Sequence, residues 1–231
     1  MNERLEENAP SSMAGIGTHE RVLELVREFL PGKCRVVDLA AGEGAFSHQL
    51  AALGHDVVAV DFSSENWKVA DIPLSKHDLD SEFAAEVSKD HNKFDAIVAI
   101  EIIEHLENPF RFIRECAKIL KPNGLLFLTT PNVEAVNSRL IFLYSGRMAS
   151  FGQYETVRPA HITPIFTWKL RMMLEEAKFE TIYHGFNRTN YATGVNIKGR
   201  VAAIIGRLIE PFVKGQTGGE SRIIVARQIR S

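Results

Sequence analysis

Two hydrophobic periods alternate along the first 130 residues. Short apolar runs at Arg35–Leu39, Val57–Asp61, Phe94–Ile100 and Leu125–Thr130 are rich in Val, Ile and Leu. Between them, at Ala45–Leu53 and Pro109–Leu120, apolar residues recur every three or four positions. A continuous apolar run suits a strand buried on both faces, and the longer period suits an amphipathic helix. The alternation predicts βαβ units, and therefore a parallel sheet covered by helices on both sides. A leading helix is predicted from the stripe Val22, Leu25, Val26 and Phe29, with Thr18 as its cap and Pro31-Gly32 as its stop. A short third strand is predicted near Lys76–Leu79, and Lys121-Pro122-Asn123-Gly124 reads as a turn.

The pattern breaks after Thr130. Residues 133–163 hold one amphipathic piece, Val136–Tyr144, in an otherwise irregular stretch that reads as a lid-like insertion. Thr163-Pro164 is expected to open another helix, and Phe179–Phe186 and Ser221–Ile229 to form two closing strands. Between those strands lies an amphipathic insertion, about 196–214, whose apolar face is Ile197, Val201, Ile204, Ile205, Leu208 and Phe212. Residues 1–17 show no period and read as a mobile N-terminal arm able to order over a ligand, leaving 18–231 as a single domain.

Composition narrows the function classes. The 231 residues are 45% hydrophobic and 24% charged, which fits one globular domain with a sizeable core. A formal charge of −2 excludes a broad electrostatic footprint for nucleic acid. Cys34 and Cys116 form neither a metal-spaced pair nor a disulfide framework. The first residues are polar and acidic, unlike a secretory signal, and no apolar stretch reaches the roughly 18 residues of a membrane span. A soluble, cytoplasmic protein is expected.

The first chemical motif is an acid at the end of a buried strand, a glycine-containing turn and a helix: Asp38-Leu39-Ala40-Ala41-Gly42-Glu43-Gly44. Glycines let a backbone approach a ligand closely, and the following helix start offers free N–H groups. Seventeen residues beyond Gly44, Asp61 ends the next strand, where a carboxylate can accept both hydroxyls of a ribose. A dinucleotide fingerprint would need a third glycine, and Ser47 stands there instead. Asp38 would repel a pyrophosphate but suits a cationic amino group. An adenosine with a cationic amino-acid tail, S-adenosylmethionine (SAM), fits both acids; a nicotinamide-dependent oxidoreductase fits them less well.

This loop resembles the D-x-G-x-G-x-G loop of class I SAM-dependent methyltransferases, with Ala40 where the first glycine usually stands. The resemblance is strong over residues 18–130. It implies a Rossmann-like, mostly parallel seven-stranded α/β sheet with helices on both faces and an antiparallel last strand. It also implies SAM as cofactor, held by the loop residues Asp38, Ala40, Gly42 and Gly44 and by Asp61 on the ribose. Phe62 would pack on the adenine, and Asp78 and Leu79 would hold the adenine amine. Asp78 reads equally as a solvated loop acid or a helix cap.

A second motif, Glu101-Ile102-Ile103-Glu104-His105, follows the fourth strand, at the end of the sheet where ligands bind in open α/β folds. Spacings of three and four residues would place Glu101, Glu104 and His105 on one side of a helical turn. The motif resembles that of ubiquinone-biosynthesis O-methyltransferases, and a similar string occurs in small-RNA 2′-O-methyltransferases. In both groups it can hold a divalent metal. His161, in Arg158-Pro159-Ala160-His161, is a further candidate, so Glu101, Glu104, His105 and His161 form the possible metal set. His105 and His161 are also candidate acid/base catalysts, Glu101 a candidate cofactor contact, and plain packing or ion-pairing roles stay open for Glu104 and His161.

Thr129-Thr130-Pro131-Asn132 should border the acceptor pocket. Arg139, Arg147 and Arg158 interleave with Phe142, Tyr144, Phe151 and Tyr154 in the lid-like stretch, a composition able to hold an anionic or glycan-like acceptor or to form a solvated lid. The sequence therefore reads as a SAM-dependent methyltransferase acting on a hydroxyl of a small molecule, with a sugar or lipid-linked glycan as one case. The alternatives are a small-RNA-type 2′-O-methyltransferase, against which the charge argues, and a catalytically silent SAM-binding module. Ile197–Val213 is open to three fates: packing on its own domain, a homodimer, or peripheral contact with a membrane.

Overall fold

The computed structural model describes residues 9–152, 160–187 and 197–229. Most of the arm's first half, together with Tyr154 and Arg158 of the lid-like stretch, lies outside them. Helix α1 (Thr18–Phe29) leads into β1 (Arg35–Leu39), α2 (Ala45–Ala52), β2 (Asp56–Asp61) and β3 (Leu74–Lys76). Helix α3 (Phe83–Asp90), β4 (Phe94–Ala99), a 3-10 turn (Ile103–His105), α4 (Pro109–Ile119) and β5 (Leu120–Pro131) follow. The C-terminal part comprises α5 (Val136–Ser145), α6 (Thr167–Glu176), β6 (Phe179–Phe186), α7 (Ile197–Ile209) and β7 (Ser221–Gln228).

Among the described residues seven strands make one sheet in the order β3-β2-β1-β4-β5-β7-β6. Strand β7 runs antiparallel to β5 and β6, and the remaining pairings are parallel. The Rossmann-like architecture expected from the resemblance is therefore present, including the reversed last strand. Central strands are apolar on both faces because both are covered: Val36, Val37, Ile97 and Val98 are fully buried. Val22, Leu25 and Val26 of α1 and Phe46 and Leu50 of α2 pack on one face. Phe83 and Val87 of α3, Phe112 and Ile113 of α4, and Leu170 and Met173 of α6 pack on the other. The chain builds β1, β2 and β3 outward and then returns to place β4 beside β1. That reversal opens a crevice at the carboxyl ends of β1 and β4.

Several local expectations shift, each for a physical reason. Gly17, at φ 78, takes the cap position of α1, and Thr18 is its first residue, fully buried and receiving the Asn187 side-chain amide. Strand β3 ends at Lys76 rather than Leu79. The His77 N–H reaches the Asp61 carbonyl, and Asp78 turns the chain by accepting the Asp80 N–H. The expected turn at 121–124 is an irregularity inside β5: Asn123 sits at φ 62, and the pairing slips between Phe94 and Ala96. Helix α6 starts at Thr167 rather than at Pro164; Glu134 Oε2 accepts both the Thr167 N–H and its hydroxyl and so satisfies a free donor of the first turn. Helix α3 was not anticipated; its apolar stripe of Phe83, Ala84 and Val87 is too short to stand out as a period.

Candidate active site

Three positions of the loop after β1 have left-handed backbone: Ala40 at φ 62, Gly42 at φ 57 and Gly44 at φ 92. Gly44 is required twice over. A Cβ there would stand 2.5 Å from Val69 Cγ2, and its φ disfavours any L side chain. Ala40 adopts the same kind of conformation without being glycine, with its N–H bonded to the Val60 carbonyl of β2 at 2.8 Å. The loop is thus tied to the neighbouring strand before the chain turns into α2.

The two acids of the first motif flank this loop. Asp38 is buried, and its Oδ2 accepts the Ser47 hydroxyl at 2.6 Å. Burial pushes its carboxyl up to about 7; the Ser47 hydrogen bond opposes this and the charge of Asp61 adds to it. Asp61 Oδ2 accepts the Gly42 N–H at 2.9 Å and Oδ1 the Ser63 N–H at 3.2 Å. Asp61 therefore fixes the loop while keeping acceptor capacity on both oxygens. Phe62, beside it, is 78% exposed, an open aromatic face at the crevice. Leu79 is buried, whereas Asp78 is exposed and spends Oδ1 on the Asp80 N–H.

The arm crosses the same region. Ser11 donates its N–H and its hydroxyl to Glu43, and the Gly15 N–H reaches Glu101 Oε2 at 3.2 Å. Met13 Sδ lies 3.8 Å from where a Cβ on Gly42 would be. Residues 11–15 thus lie against the glycine loop and the end of β4.

The second motif does not form one helical turn. Glu101 sits at φ 48, and the 3-10 turn begins only at Ile103. Glu101 faces the start of β7, where Ser221 donates its hydroxyl to Oε1 at 2.5 Å, and its own N–H goes to Thr129 Oγ1. Glu104, fully buried, turns the other way and accepts the Thr130 hydroxyl on Oε2 at 3.0 Å. Its Oε1 has no hydrogen-bond partner among the described residues. Burial, reinforced by the charge of Glu101, pushes the Glu104 carboxyl up to about 8.

His161 reaches this acid by main-chain contacts. The N–H groups of Ile162 and Thr163 both reach the Glu104 carbonyl at 2.9 Å, and Thr163 Oγ1 donates to the Leu106 carbonyl. The rings of His105 and His161 meet edge to face, with centroids 4.6 Å apart. His105 Nδ1 lies 3.0 Å from the Ala160 carbonyl and His161 Nδ1 2.6 Å from the Ser150 carbonyl. A carbonyl only accepts, so each Nδ1 carries a proton, and in the neutral form of either ring Nε2 is the acceptor. Burial, followed by the neighbouring His161, holds the His105 imidazole below its ordinary value and favours the neutral base.

One ligand atom from each of Glu104, His105 and His161 lies within 4.8 Å of the others. A carboxylate with an unpartnered oxygen and two imidazoles anchored through Nδ1–H suit a divalent first-row cation. Glu101 is not in this trio, so the structure brings together three of the four candidate ligands. The partners of the acids escaped the sequence reading. Ser221 lies 120 residues from Glu101, and no local pattern marks it. Ser47 carried a usable signal, a hydroxyl in place of glycine on the turn of helix facing Asp38.

A family model described as a methyltransferase domain matches residues 6–184. A ubiquinone biosynthesis O-methyltransferase of Xanthomonas campestris pv. campestris strain B100 is 37% identical over 111 residues, 46% of each chain. One from Pelagibacter ubique is 37% identical over 101 residues, 42% of each chain. The chain spans less than half the length of these curated relatives. Its fold is similar to that of a SAM-dependent methyltransferase from Archaeoglobus fulgidus, with a TM-score of 0.64, 20% identity and coverage of 98% of this chain and 99% of that one.

Proposed function

The chain belongs to the methyltransferase-domain family, and from that premise we propose that it transfers the methyl group of SAM to a hydroxyl of a small molecule. The observation that carries this reading is the pair Asp38 and Asp61, ending adjacent strands on either side of a glycine loop. The O-methyltransferase relatives support the oxygen acceptor. The cofactor's cationic amino group would draw the proton off Asp38, which then balances the charge. Asp61 takes the ribose hydroxyls while keeping the Gly42 N–H, and Phe62 offers its exposed ring to the adenine.

The sulfonium is a good leaving group, so the protein's main contribution is to align an in-line displacement. An alcohol acceptor must also lose a proton, and neutral His105, with Nε2 unprotonated, is placed to take it. His161 orients and polarises its neighbour from 4.6 Å. The same Glu104, His105 and His161 would hold a divalent cation, which at that place supplies Lewis-acid activation of an acceptor hydroxyl. Arg139 and Arg147, on the helix after β5 and just past its end, are compatible with a sugar or lipid-linked glycan as the acceptor.

The test is titration calorimetry with SAM and S-adenosylhomocysteine (SAH), followed by a methyl-transfer assay over a panel of hydroxylated acceptors. Uptake of both ligands and alkali-stable methylation of one acceptor are expected. Absence of binding to either ligand would remove the proposal, and binding without transfer to any hydroxyl would favour a silent module.

A further inference from the structure

Helices α5 and α7 lie against each other on the C-terminal side of the sheet. Among their described apolar side chains only Val136 is buried. On α7, Val201, Ile204, Ile205 and Leu208 recur at helical spacing and form one exposed stripe, with Leu208 68% exposed. Phe212, just beyond, is 85% exposed. The last turn of α5 adds Leu143 at 84% and Tyr144 at 88%. Single exposed apolar residues are ordinary; two adjoining helices that both expose them form a surface with a purpose.

Charge indicates what that surface meets. Segments 136–147 and 197–214 carry six Lys and Arg against one acid, Glu210, in a chain whose formal charge is −2. These two segments thus carry a cationic surplus that the rest of the sequence reverses. Arg147, Arg207 and Lys214 are exposed. A second copy of the chain is a poor occupant, because a two-fold contact would bring two such cationic segments together. Anionic lipid headgroups over an acyl boundary match both features, with Tyr144 and Phe212 as aromatic residues suited to the interface. Among the described residues no helix is long and apolar enough to cross a membrane, so contact would be in the plane of the surface.

We propose that the face formed by α5 and α7 docks the protein on an anionic bilayer surface, with Leu143, Tyr144, Leu208 and Phe212 entering the acyl boundary. Leu143, Tyr144, Leu208 and Phe212 are none of the residues assigned to the SAM site, so docking and cofactor binding should be lost separately.

The experiment is co-sedimentation of the full chain with extruded vesicles of phosphatidylcholine alone or mixed equally with phosphatidylglycerol. The protein should pellet with the mixed vesicles and far less with the neutral ones, and high salt should weaken the association. The double variant Leu143→Glu/Leu208→Glu should bind about tenfold more weakly or worse, with its thermal midpoint and SAH affinity preserved. Arg207→Glu/Lys214→Glu should abolish the preference for anionic vesicles, an arm that holds even if the first pair folds poorly. No binding at low salt, equal binding to both vesicle types, or binding that neither variant weakens would overturn the proposal. So would self-association in sedimentation velocity that the first variant removes while vesicles are ignored; a second copy would then own the face.

Discussion

The Ser47 hydroxyl donates to Asp38 Oδ2 at 2.6 Å, and both side chains are sealed from solvent. Ser47 occupies the position that a dinucleotide fingerprint gives to glycine, and here it is the direct partner of the acid. Burial brings the Asp38 carboxyl up to about 7, so that it is half-protonated at neutral pH. Its charge is therefore set by whatever cation comes to rest beside it.

That position fixes a pH dependence. The native carboxyl binds its proton more tightly than an unfolded Asp, so the free protein should lose stability as pH rises from the ordinary 3.8 through about 7. A cationic ligand selects the ionised form, so SAM affinity should rise by up to roughly tenfold per pH unit below that midpoint and level off above it. Asp38→Asn should flatten the profile, and Ser47→Ala, which removes a bond to the ionised form, should move it to higher pH. Calorimetry between pH 6 and 8.5 checks both, and a flat wild-type profile would contradict the assignment.

Asp61→Ala should weaken SAM and SAH binding by about 1–3 kcal/mol, the usual cost of losing hydrogen bonds to a charged group. It also frees the Gly42 N–H, so part of the loss should appear as a faster dissociation rate. Unchanged affinity by calorimetry would remove Asp61 from the cofactor site.

His105→Ala should reduce turnover by about 10²–10⁴-fold while leaving SAH affinity intact, because the ring lies on the side of Glu104 and not of the glycine loop. Matched losses in both measurements would place the histidine with the cofactor instead.

The trio of Glu104, His105 and His161 should respond to metal. Adding Mn²⁺ or Zn²⁺ to chelator-treated protein is expected to raise its thermal midpoint through preferential binding to the native state. Glu104→Gln and His161→Ala should each remove the shift. A wild-type midpoint indifferent to both ions would leave the imidazole pair as proton carriers alone.

Ala40→Gly should stabilise the protein by about 1 kcal/mol, since a Cβ at φ 62 carries a strain that glycine lacks. Urea unfolding measures it. A loss of stability would mean that the methyl group's packing outweighs the strain.

The central sheet was legible because strands covered on both faces cannot avoid apolar runs, as in Val36-Val37 and Ile97-Val98. The loop and Asp61 were legible because strand ends and glycine turns leave local marks. The geometry after β4 was not. Glu101 breaks the helical spacing through its own left-handed backbone at φ 48, a choice no residue type announces. The Glu104–His161 approach depends on main-chain bonds between segments nearly sixty residues apart, which side-chain patterns do not record. The exposure of α7 was equally unreadable, since an amphipathic stripe looks the same whether it meets a core or nothing.

Those main-chain bonds carry an evolutionary consequence. His161 is held beside His105 by the Ile162 and Thr163 N–H groups and, from the chain just after α5, by the Ser150 carbonyl and the Phe151 ring. Any exchange of the segment that follows α5 must therefore keep a carbonyl and an aromatic ring at these two places if the imidazole pair is to keep its spacing. Related chains that retain the two imidazoles should thus keep an aromatic residue at the place of Phe151 while residues 146–149 vary.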